Sequence, residues 1–394
     1  GGWSEPLAQA VEAAEAPLEE EDLAELRHEL TQMAGTQVIA GLPASRPAAG
    51  SVSDIVRVTR VEGLAVGFGW TFQRGRAEVR PYLGYGFSGV GVNGVLRVGA
   101  RLGGVQPWIE GRRRARDVND FQVIAPLLNS ILAQEGGNDH GDWVLEEAVE
   151  AGVRVPRGAR TTLGAAVAFA RTESLPVEGE PSSGEYRPNP SLGEGDALHT
   201  RAWIERSAGG GLDGTGTDWR GVLEVEGSPD DRWVRGRIGG EATAGVGGGV
   251  MLLRVEGIWG STHLPAWRSI ALGGRGTLVG EEYRSLGGLR GGFAHLEWRI
   301  PVPLPELRLS GVAGTGRSAV MAPFVAGGWA SGETDGRDGQ GGRVPWVPSD
   351  GLRPVVGLGF EALMELVRVE AGVALRTGEW GITADVGRAW WSIL

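Results

Sequence analysis

The sequence predicts an all-β protein, a closed antiparallel transmembrane β-barrel of about sixteen strands with a short helical N-terminal segment. Large apolar residues alternate with small or charged residues in many segments of roughly ten residues. The chain has 15 tryptophans, and many of them lie in or at the ends of these segments. Apolar runs long enough to predict a transmembrane helix do not occur. Short alternating segments with aromatic residues at their ends are typical of barrels that cross a bilayer.

The composition argues against several classes of function. The 394 residues carry a net charge of −11, whereas nucleic-acid binding needs a basic surface. The absence of cysteine excludes a disulfide scaffold and a thiolate metal site. The five histidines show no metal-ligand spacing. We therefore expect no nucleic-acid partner, no metal, no cofactor and no catalytic residues.

The first part of the chain has a helical pattern. Residues 12–32 are rich in Ala, Leu and Glu, with leucines at helical spacing, and residues 43–51 resemble a linker. We expect a helical segment and linker over residues 1–54 and a barrel over residues 55–394. Because the chain begins Gly1-Gly2 without an initiator methionine, we expect it to be a mature or truncated product.

The alternating pattern places one set of residues on each face of every predicted strand. Val367 and Val369, for example, alternate with Arg368 and Glu370. A bacterial single-chain barrel has an even number of strands, so a sixteenth is expected within residues 36–58. A soluble β-propeller is the alternative. The expected lipid-facing residues are Leu64, Val66, Phe68, Val367, Val369, Ile382 and Val386. The fifteen segments are 60–72, 77–88, 94–103, 106–116, 145–156, 161–173, 197–208, 217–227, 231–243, 248–261, 291–301, 319–330, 353–363, 366–375 and 380–392.

A long glycine-rich stretch, residues 272–290, precedes the strand at 291–301. Glycine lets backbone pass close to a wall of side chains, so we expect this stretch to fold into the barrel lumen. Its Glu281, Glu282 and Arg284 would then pair with charged residues of the lumen wall. The alternative is an external, protease-accessible loop.

Two short motifs resemble the bacterial surface-antigen superfamily, which includes the BAM-type insertases and the two-partner secretion transporters. They are GTLVG at 276–280 and PFVAG at 323–327. The resemblance covers about residues 55–394 and implies a sixteen-stranded barrel in the bacterial outer membrane with its sixth external loop in the lumen. It also implies translocation or insertion of protein or lipid. The implied partners are outer-membrane lipid, lipopolysaccharide and other envelope proteins.

The motifs depart from the family pattern at two positions. The family's loop arginine is replaced by Val279, and its partner aspartate is replaced by Ala326. Losing both members together avoids an unpaired buried charge. Arg290 is an alternative source of the lost arginine. The candidate loop residues are Gly273, Gly274, Gly276, Thr277, Leu278, Val279, Gly280, Glu281, Tyr283, Arg284 and Arg290, and the facing strand supplies Pro323, Phe324, Val325, Ala326 and Gly327.

Other functions are also compatible with this pattern. Residues 1–54 are too few and too helical to supply a POTRA domain, the client-receiving module of insertases, which leaves a structural or anchoring barrel as the second hypothesis. Asp139, His140 and Asp142 form the basis of a third, a barrel-embedded hydrolase. The basic cluster faces lipopolysaccharide phosphates or forms a solvated rim, and it consists of Arg112, Arg113, Arg114 and Arg116.

Overall fold

A computed structural model describes residues 44–119, 122–191, 194–208, 217–228, 232–304, 318–332, 346–363 and 366–391. The chain divides into two units, Gly1–Pro43 and Ala44–Leu394. The predicted helical segment over residues 12–32 therefore lies outside the described residues. Residues 44–54 contain a short strand and a 3-10 turn at Val52–Asp54.

Strands dominate the described residues, and one α-helix interrupts them. The helix α1 covers Pro126–Gly136. The strands are β1 Ser45–Pro47, β2 Val56–Thr59, β3 Gly63–Arg74, β4 Ala77–Gly86, β5 Gly91–Ala100, β6 Gln106–Asp117, β7 Trp143–Arg157, β8 Thr161–Ser174, β9 Gly195–Ala208, β10 Thr217–Ser228, β11 Trp233–Val246, β12 Gly249–Gly260, β13 Ile270–Leu272, β14 Leu286–Gly288, β15 Arg290–Pro303, β16 Ser318–Ser331, β17 Arg353–Ala362, β18 Val367–Ala374 and β19 Trp380–Val386.

One antiparallel sheet contains seventeen of these strands. Each strand from β2 to β12 pairs with the next along the chain, β12 then pairs with β15, and the order continues to β19. The strands β13 and β14 form a separate two-stranded ribbon. Each of the fifteen predicted segments coincides with a strand of the sheet, so the all-β antiparallel prediction is confirmed.

The prediction of a closed, sixteen-stranded barrel is wrong in two respects. Within the described residues β19 pairs only with β18, so no strand pairing joins the two ends of the sheet. The described residues contain 19 strands because the first edge is split into β1 and β2, which both pair with β3, and because the ribbon of β13 and β14 adds two more. The last strand is shorter than predicted, since the chain bends after Val386 into a 3-10 turn at Arg388–Trp390.

The two faces of the sheet differ in the way that the alternation predicts. On β18 exposed and buried residues alternate along the whole strand. Val367 and Val369 are exposed, whereas Arg368 and Glu370 are buried. On β3 the side chain of Phe68 is 58 % exposed and that of Thr71 is 3 % exposed. Six of the seven expected lipid-facing residues are exposed, and the seventh, Val386, is half-buried.

Charged residues on the inner face form ion-pair networks. Arg368 of β18 donates to Glu297 of β15 at 3.1 Å and to Glu370 at 2.6 Å, and it also pairs with Glu361 of β17. All four side chains are at most 8 % exposed. A buried charge is tolerated only where it is paired and hydrogen-bonded. The network therefore explains how strands with such charges can pack around an interior.

The helix α1 lies in the long connection between β6 and β7. Pro126 lies in its first turn, and Gly137 caps its C-terminal end. The left-handed backbone of Gly137 (φ 68°) allows its N–H to donate to the carbonyl of Ala133. Leu128 and Leu132 pack against the apolar cluster of the interior. Among the described residues, no helix combines the length and apolar character needed to cross a membrane.

The exposed residues of the sheet should contact hydrocarbon when the protein is in a bilayer. We expect spin labels at Phe68→Cys and Val167→Cys to be accessible to oxygen dissolved in the bilayer, because both side chains are exposed and apolar. Matched labels at Thr71→Cys and Ala168→Cys, buried on the opposite face, should instead be shielded from oxygen. Electron paramagnetic resonance with oxygen and a water-soluble relaxant measures both. If only the labels at positions 71 and 168 were accessible to oxygen, the assignment of the lipid-facing and inner faces of the sheet would be wrong.

Candidate functional site

The central feature of the interior is residues 272–290, here called the internal loop. Its stem is the ribbon, in which Ile270 pairs with Gly288 and Leu272 pairs with Leu286. Between the two strands the chain turns tightly, because Thr277 Oγ1 accepts the backbone N–H of Gly273 at 3.0 Å and the N–H of Gly274 donates to the Leu278 carbonyl. The internal loop is therefore an ordered segment that is stabilised by hydrogen bonds between its own residues.

Two glycines of the loop occupy positions where a side chain would not fit. Gly276 has φ 77°, and a Cβ there would lie 2.7 Å from the Cα of Val123. Gly280 has φ 107°, and a Cβ there would lie 2.8 Å from the backbone nitrogen of Ala374 in β18. Since both positions need a left-handed backbone and close approach, glycine is required. The tip of the loop consequently rests directly on the inner face of the sheet.

The side chains at the tip form an apolar contact with the sheet. Val279 is 3 % exposed, and its Cβ would lie 3.1 Å from a Cβ built on Gly372 of β18. Leu278 is fully buried beside Gly328 of β16. Val279 and Ala326 both belong to the largest apolar cluster of the interior. The two positions at which the sequence motifs differ from the surface-antigen pattern thus contribute to hydrophobic packing.

The loop is held to the β6–β7 region by a buried arginine. Arg284 is 3 % exposed; it pairs with Asp142 and donates to Asp117 Oδ2 at 3.0 Å. Asp117 ends β6, and Asp142 directly precedes β7. The sequence predicted that Arg284 anchors the loop to charged residues. Its partners lie at the ends of strands and not along the wall.

Three arginines from separate parts of the chain pair with Asp142. Arg60, in the turn between β2 and β3, approaches it at 3.0 Å, and Arg187 approaches at 2.7 Å. Arg60 and Asp142 are both fully buried. Arg60 also donates to Asn189 Oδ1 at 3.0 Å. We call this set, Arg60, Asp117, Asp142, Arg187, Asn189 and Arg284, the loop clamp.

The charges of the loop clamp stabilise one another. Burial opposes ionisation of Asp142, but the charges of Arg284 and Arg187 outweigh it and lower the pKa of Asp142 to about 2. Burial likewise opposes the charge of Arg284, yet the carboxylate of Asp117 raises the pKa of that guanidinium well above its ordinary value. Both groups are therefore ionised over the whole physiological pH range.

The other charged loop residues make weaker contacts. Arg275 donates to Asp385 Oδ2 at 3.2 Å at the end of β19, and Glu281 lies 3.9 Å from Arg353. Glu282 is exposed. Arg290 begins β15 and lies over the ring of Trp259 at 5.5 Å, on the exposed side of the sheet. The interpretation that Arg290 replaces the lost arginine is therefore wrong, because its side chain is outside the interior.

The strand segment 323–327 lies in β16 and shows the same alternation. Phe324 and Ala326 are buried, whereas Val325 is 51 % exposed. Phe324 stacks on His295 of β15 with 4.8 Å between ring centroids. Pro323 and Gly327 are half-buried. The segment thus provides part of the wall on which the loop rests.

Asp139 and His140 are not arranged as a catalytic pair. Asp139 is 2 % exposed and accepts the backbone N–H of Arg60 at 2.8 Å and the indole N–H of Trp143 at 2.8 Å. The Nδ1 of His140 lies 3.0 Å from the carbonyl of Asn138, and neither aspartate is its partner. These contacts make Asp139 and Asp142 structural groups, which removes the basis of the hydrolase hypothesis at this position.

The four arginines at the end of β6 do not form a common outward patch. Arg112 pairs with Glu146 and donates to Glu150 at 2.6 Å on the inner face. Arg113 points the other way and pairs with Glu147 at 2.8 Å, with its side chain 40 % exposed. The alternation of β6 divides the cluster, since Arg112, Arg114 and Arg116 line an internal cavity.

Much of the loop clamp was not visible in the sequence. Asp117, Arg187 and Asn189 are scattered along the chain and belong to no motif, whereas Arg60 is the first residue of the first predicted segment. A signal that could have suggested them is the presence of charged residues beside turns that flank apolar strands. Within the described residues, no group of three or more His, Cys, Asp or Glu side chains is placed to hold a metal ion.

The antiparallel sheet of this chain has a fold similar to that of BamA. The crystal structure of BamA from Haemophilus ducreyi lacking POTRA domains 1–3 is similar, with a TM-score of 0.52 and 11 % identity, over 90 % of this chain and 74 % of that one. CdiB from Acinetobacter baumannii (TM-score 0.47, 11 % identity) and CdiB from Escherichia coli (0.44, 12 %) are matched over 84 % and 88 % of this chain. The chain spans 57 % and 62 % of those two proteins. No family model and no curated protein matches the sequence.

Removing the anchoring arginine should release the loop. In Arg284→Ala, Asp142 keeps Arg60 and Arg187, whereas Asp117 loses the guanidinium of Arg284 and keeps the backbone N–H groups of Asn119 and Asp142. We therefore expect a cost at the lower end of the roughly 3–5 kcal/mol seen for broken buried pairs. Hydrogen exchange of residues 272–290 should accelerate, and trypsin should cleave at Arg275. The control is Arg290→Ala, which removes an arginine outside the interior. Equal protection of the loop in both variants would show that Arg284 is not its anchor.

The packed position of the internal loop should also become less stable as the pH falls through the range in which His140 becomes protonated. Burial and the nearby charge of Arg275 lower the pKa of His140 to about 4, from an ordinary value of 6.5. When the loop opens, His140 loses its ring contact with Tyr283 and regains the higher pKa. The open state then binds more protons between pH 6.5 and 4, so protection is full above 6.5 and declines toward 4.

Hydrogen exchange of residues 272–290 at pH values from 8 to 3, corrected for intrinsic exchange rates, measures this decline. In His140→Gln the decline should become smaller between pH 6.5 and 4. A further loss below pH 3.8, where Asp142 begins to lose its charge in the open state, should persist in both proteins. An unchanged slope in His140→Gln would assign the titration to another group.

Proposed function

We propose that the protein is a BamA-type barrel of the bacterial outer membrane that takes part in translocating or inserting protein or lipid. The observation that carries the proposal is a single antiparallel sheet with an apolar outer face and a charged inner face on which an internal loop is packed. The likeness to BamA supports the fold, and the activity is our inference from that architecture.

The outer face supports a membrane location. Leu83 is 65 % exposed, Phe87 63 % and Ile382 60 %, and they belong to a continuous series of exposed apolar residues on many strands. Soluble monomers rarely expose contiguous apolar patches of this extent. Lipid and lipopolysaccharide are therefore the proposed partners of this face, with other envelope proteins as partners beyond the lipid.

A structural or anchoring barrel is the second candidate. The loop clamp favours it, because four segments of the chain meet at the fully buried Asp142 and hold the loop in the interior. A loop held firmly in the interior is compatible with a barrel that anchors a partner complex and does not transport a substrate. Translocation would require the loop to leave its position.

An engineered disulfide can separate the two candidates. The natural chain has no cysteine, so Val279→Cys with Gly372→Cys creates the only possible bridge. The two Cβ positions lie 3.1 Å apart, slightly less than the roughly 3.5–4.5 Å of disulfides. A Cβ at position 372 would also lie 2.9 Å from the carbonyl oxygen of Val279, so the tip of the loop has to move outward slightly, in the direction that the bridge requires. Oxidation should therefore fix the tip of the loop to β18, and a reductant should release it.

The assay measures insertion of a urea-denatured small β-barrel protein into liposomes that contain the full chain. We expect faster insertion than in empty liposomes, lost on oxidation of the double variant and recovered on reduction. The two single-cysteine variants are the controls for the substitutions themselves. Insertion no faster than in empty liposomes would reject the first candidate and favour the structural barrel.

A further inference from the structure

A charged cavity lies on the inner face, away from the internal loop. Its volume is about 260 Å³. The floor is β8, which presents Ala166, Ala168 and Ala170 toward the interior. Because these side chains are short, they leave space that longer residues would fill. The walls come from strands β5–β7 and β9–β11, and Arg268 closes one side from the 3-10 turn Ala266–Arg268.

The lining of the cavity carries more positive than negative charge. Eight arginines and five glutamates face it, in a protein whose net charge is −11. Several of these groups pair with each other, as Arg201 does with Glu150 at 2.9 Å and with Glu224 at 3.6 Å. Full pairing within the lining would still leave three arginines in excess. The arginines are Arg97, Arg112, Arg114, Arg116, Arg154, Arg201, Arg237 and Arg268, and the glutamates are Glu110, Glu146, Glu150, Glu224 and Glu226.

Buried polar groups in the lining also lack partners. The Nε of Arg154 and the indole N–H of Trp108 have no acceptor among the described residues, and the Nδ1 of His199 has no hydrogen-bond partner there. Trp108 is 8 % exposed and His199 is 9 % exposed. Buried donors are nearly always satisfied by protein, water or ligand. Together with the excess of arginine, these groups point to a bound anion.

We propose that this cavity is a binding site for a phosphate group. Guanidinium groups present paired donors that match phosphate oxygens, and they do so without the penalty of changing protonation state. The volume is below the roughly 300–1,000 Å³ of sites for drug-sized ligands, which suits a phosphate with at most a short organic substituent. The phosphate is either that of a free solute or that of a lipid headgroup.

The test uses the full chain in micelles of an uncharged maltoside detergent. Thermal unfolding is followed by circular dichroism against inorganic phosphate and, separately, dihexanoyl phosphatidic acid, with ionic strength held constant by sodium chloride. A ligand of the folded state raises Tm in a saturable way. Saturation with inorganic phosphate identifies a free solute as the ligand source, and saturation with the lipid alone identifies a headgroup. No saturable rise with either probe would overturn the proposal.

Two pairs of variants locate the site. Arg114→Gln and Arg154→Gln each remove a charge from the cavity, and we expect the apparent affinity to fall about tenfold or more in each. Arg113→Gln and Arg157→Gln are the matched controls, because they lie on the same strands outside the lining. Trp108→Phe tests a donor without changing charge and should also weaken binding.

The unfolding transition without phosphate shows whether each variant is folded. A variant without a cooperative transition is replaced in the comparison by the other cavity variants. Binding that is equal in the cavity variants and the controls would place the phosphate elsewhere and overturn the proposal.

Discussion

The interior of this protein depends on one buried carboxylate. Asp142 is fully buried, and its charge is compensated by arginines from the β2–β3 turn, from the segment before β9 and from the internal loop. An isolated carboxylate could not be buried in this way, since its desolvation would cost several kcal/mol. The guanidinium groups that compensate it come from three distant parts of the chain, and their pairing with Asp142 holds those parts at one place.

Apolar packing also attaches the internal loop to the inner face of the sheet. The tip rests on glycines of the sheet, where Val279 contacts Gly372 and Leu278 lies beside Gly328. An arginine at position 279 would have to place a charged group in this apolar cluster, in which Ala326 supplies no carboxylate. The ion pairs of the loop are instead made by Arg284, which reaches Asp117 at the end of β6 and Asp142 immediately before β7.

The remaining charges of the inner face follow the same physical rule. Arg368 is surrounded by Glu297, Glu361 and Glu370, so this part of the wall is neutralised locally. The cavity in front of β8 is different, because its arginines outnumber its glutamates. The inner face thus contains a locally neutralised network and, elsewhere, the cavity for which we propose phosphate binding. The apolar outer face contributes to neither.

The sequence by itself determined the strands and their faces. A period of two leaves only one way to place Val367 and Val369 on one side and Arg368 and Glu370 on the other, so local pattern was sufficient. It also singled out residues 272–290 and Arg284. It could not show that Arg284 meets Asp142, because the two are 142 positions apart and no local pattern links them. Nor could it show that the first edge is split and that β19 ends at Val386. Pairing at the edges of a sheet depends on where the chain bends in three dimensions, and this was decided only by the tertiary structure.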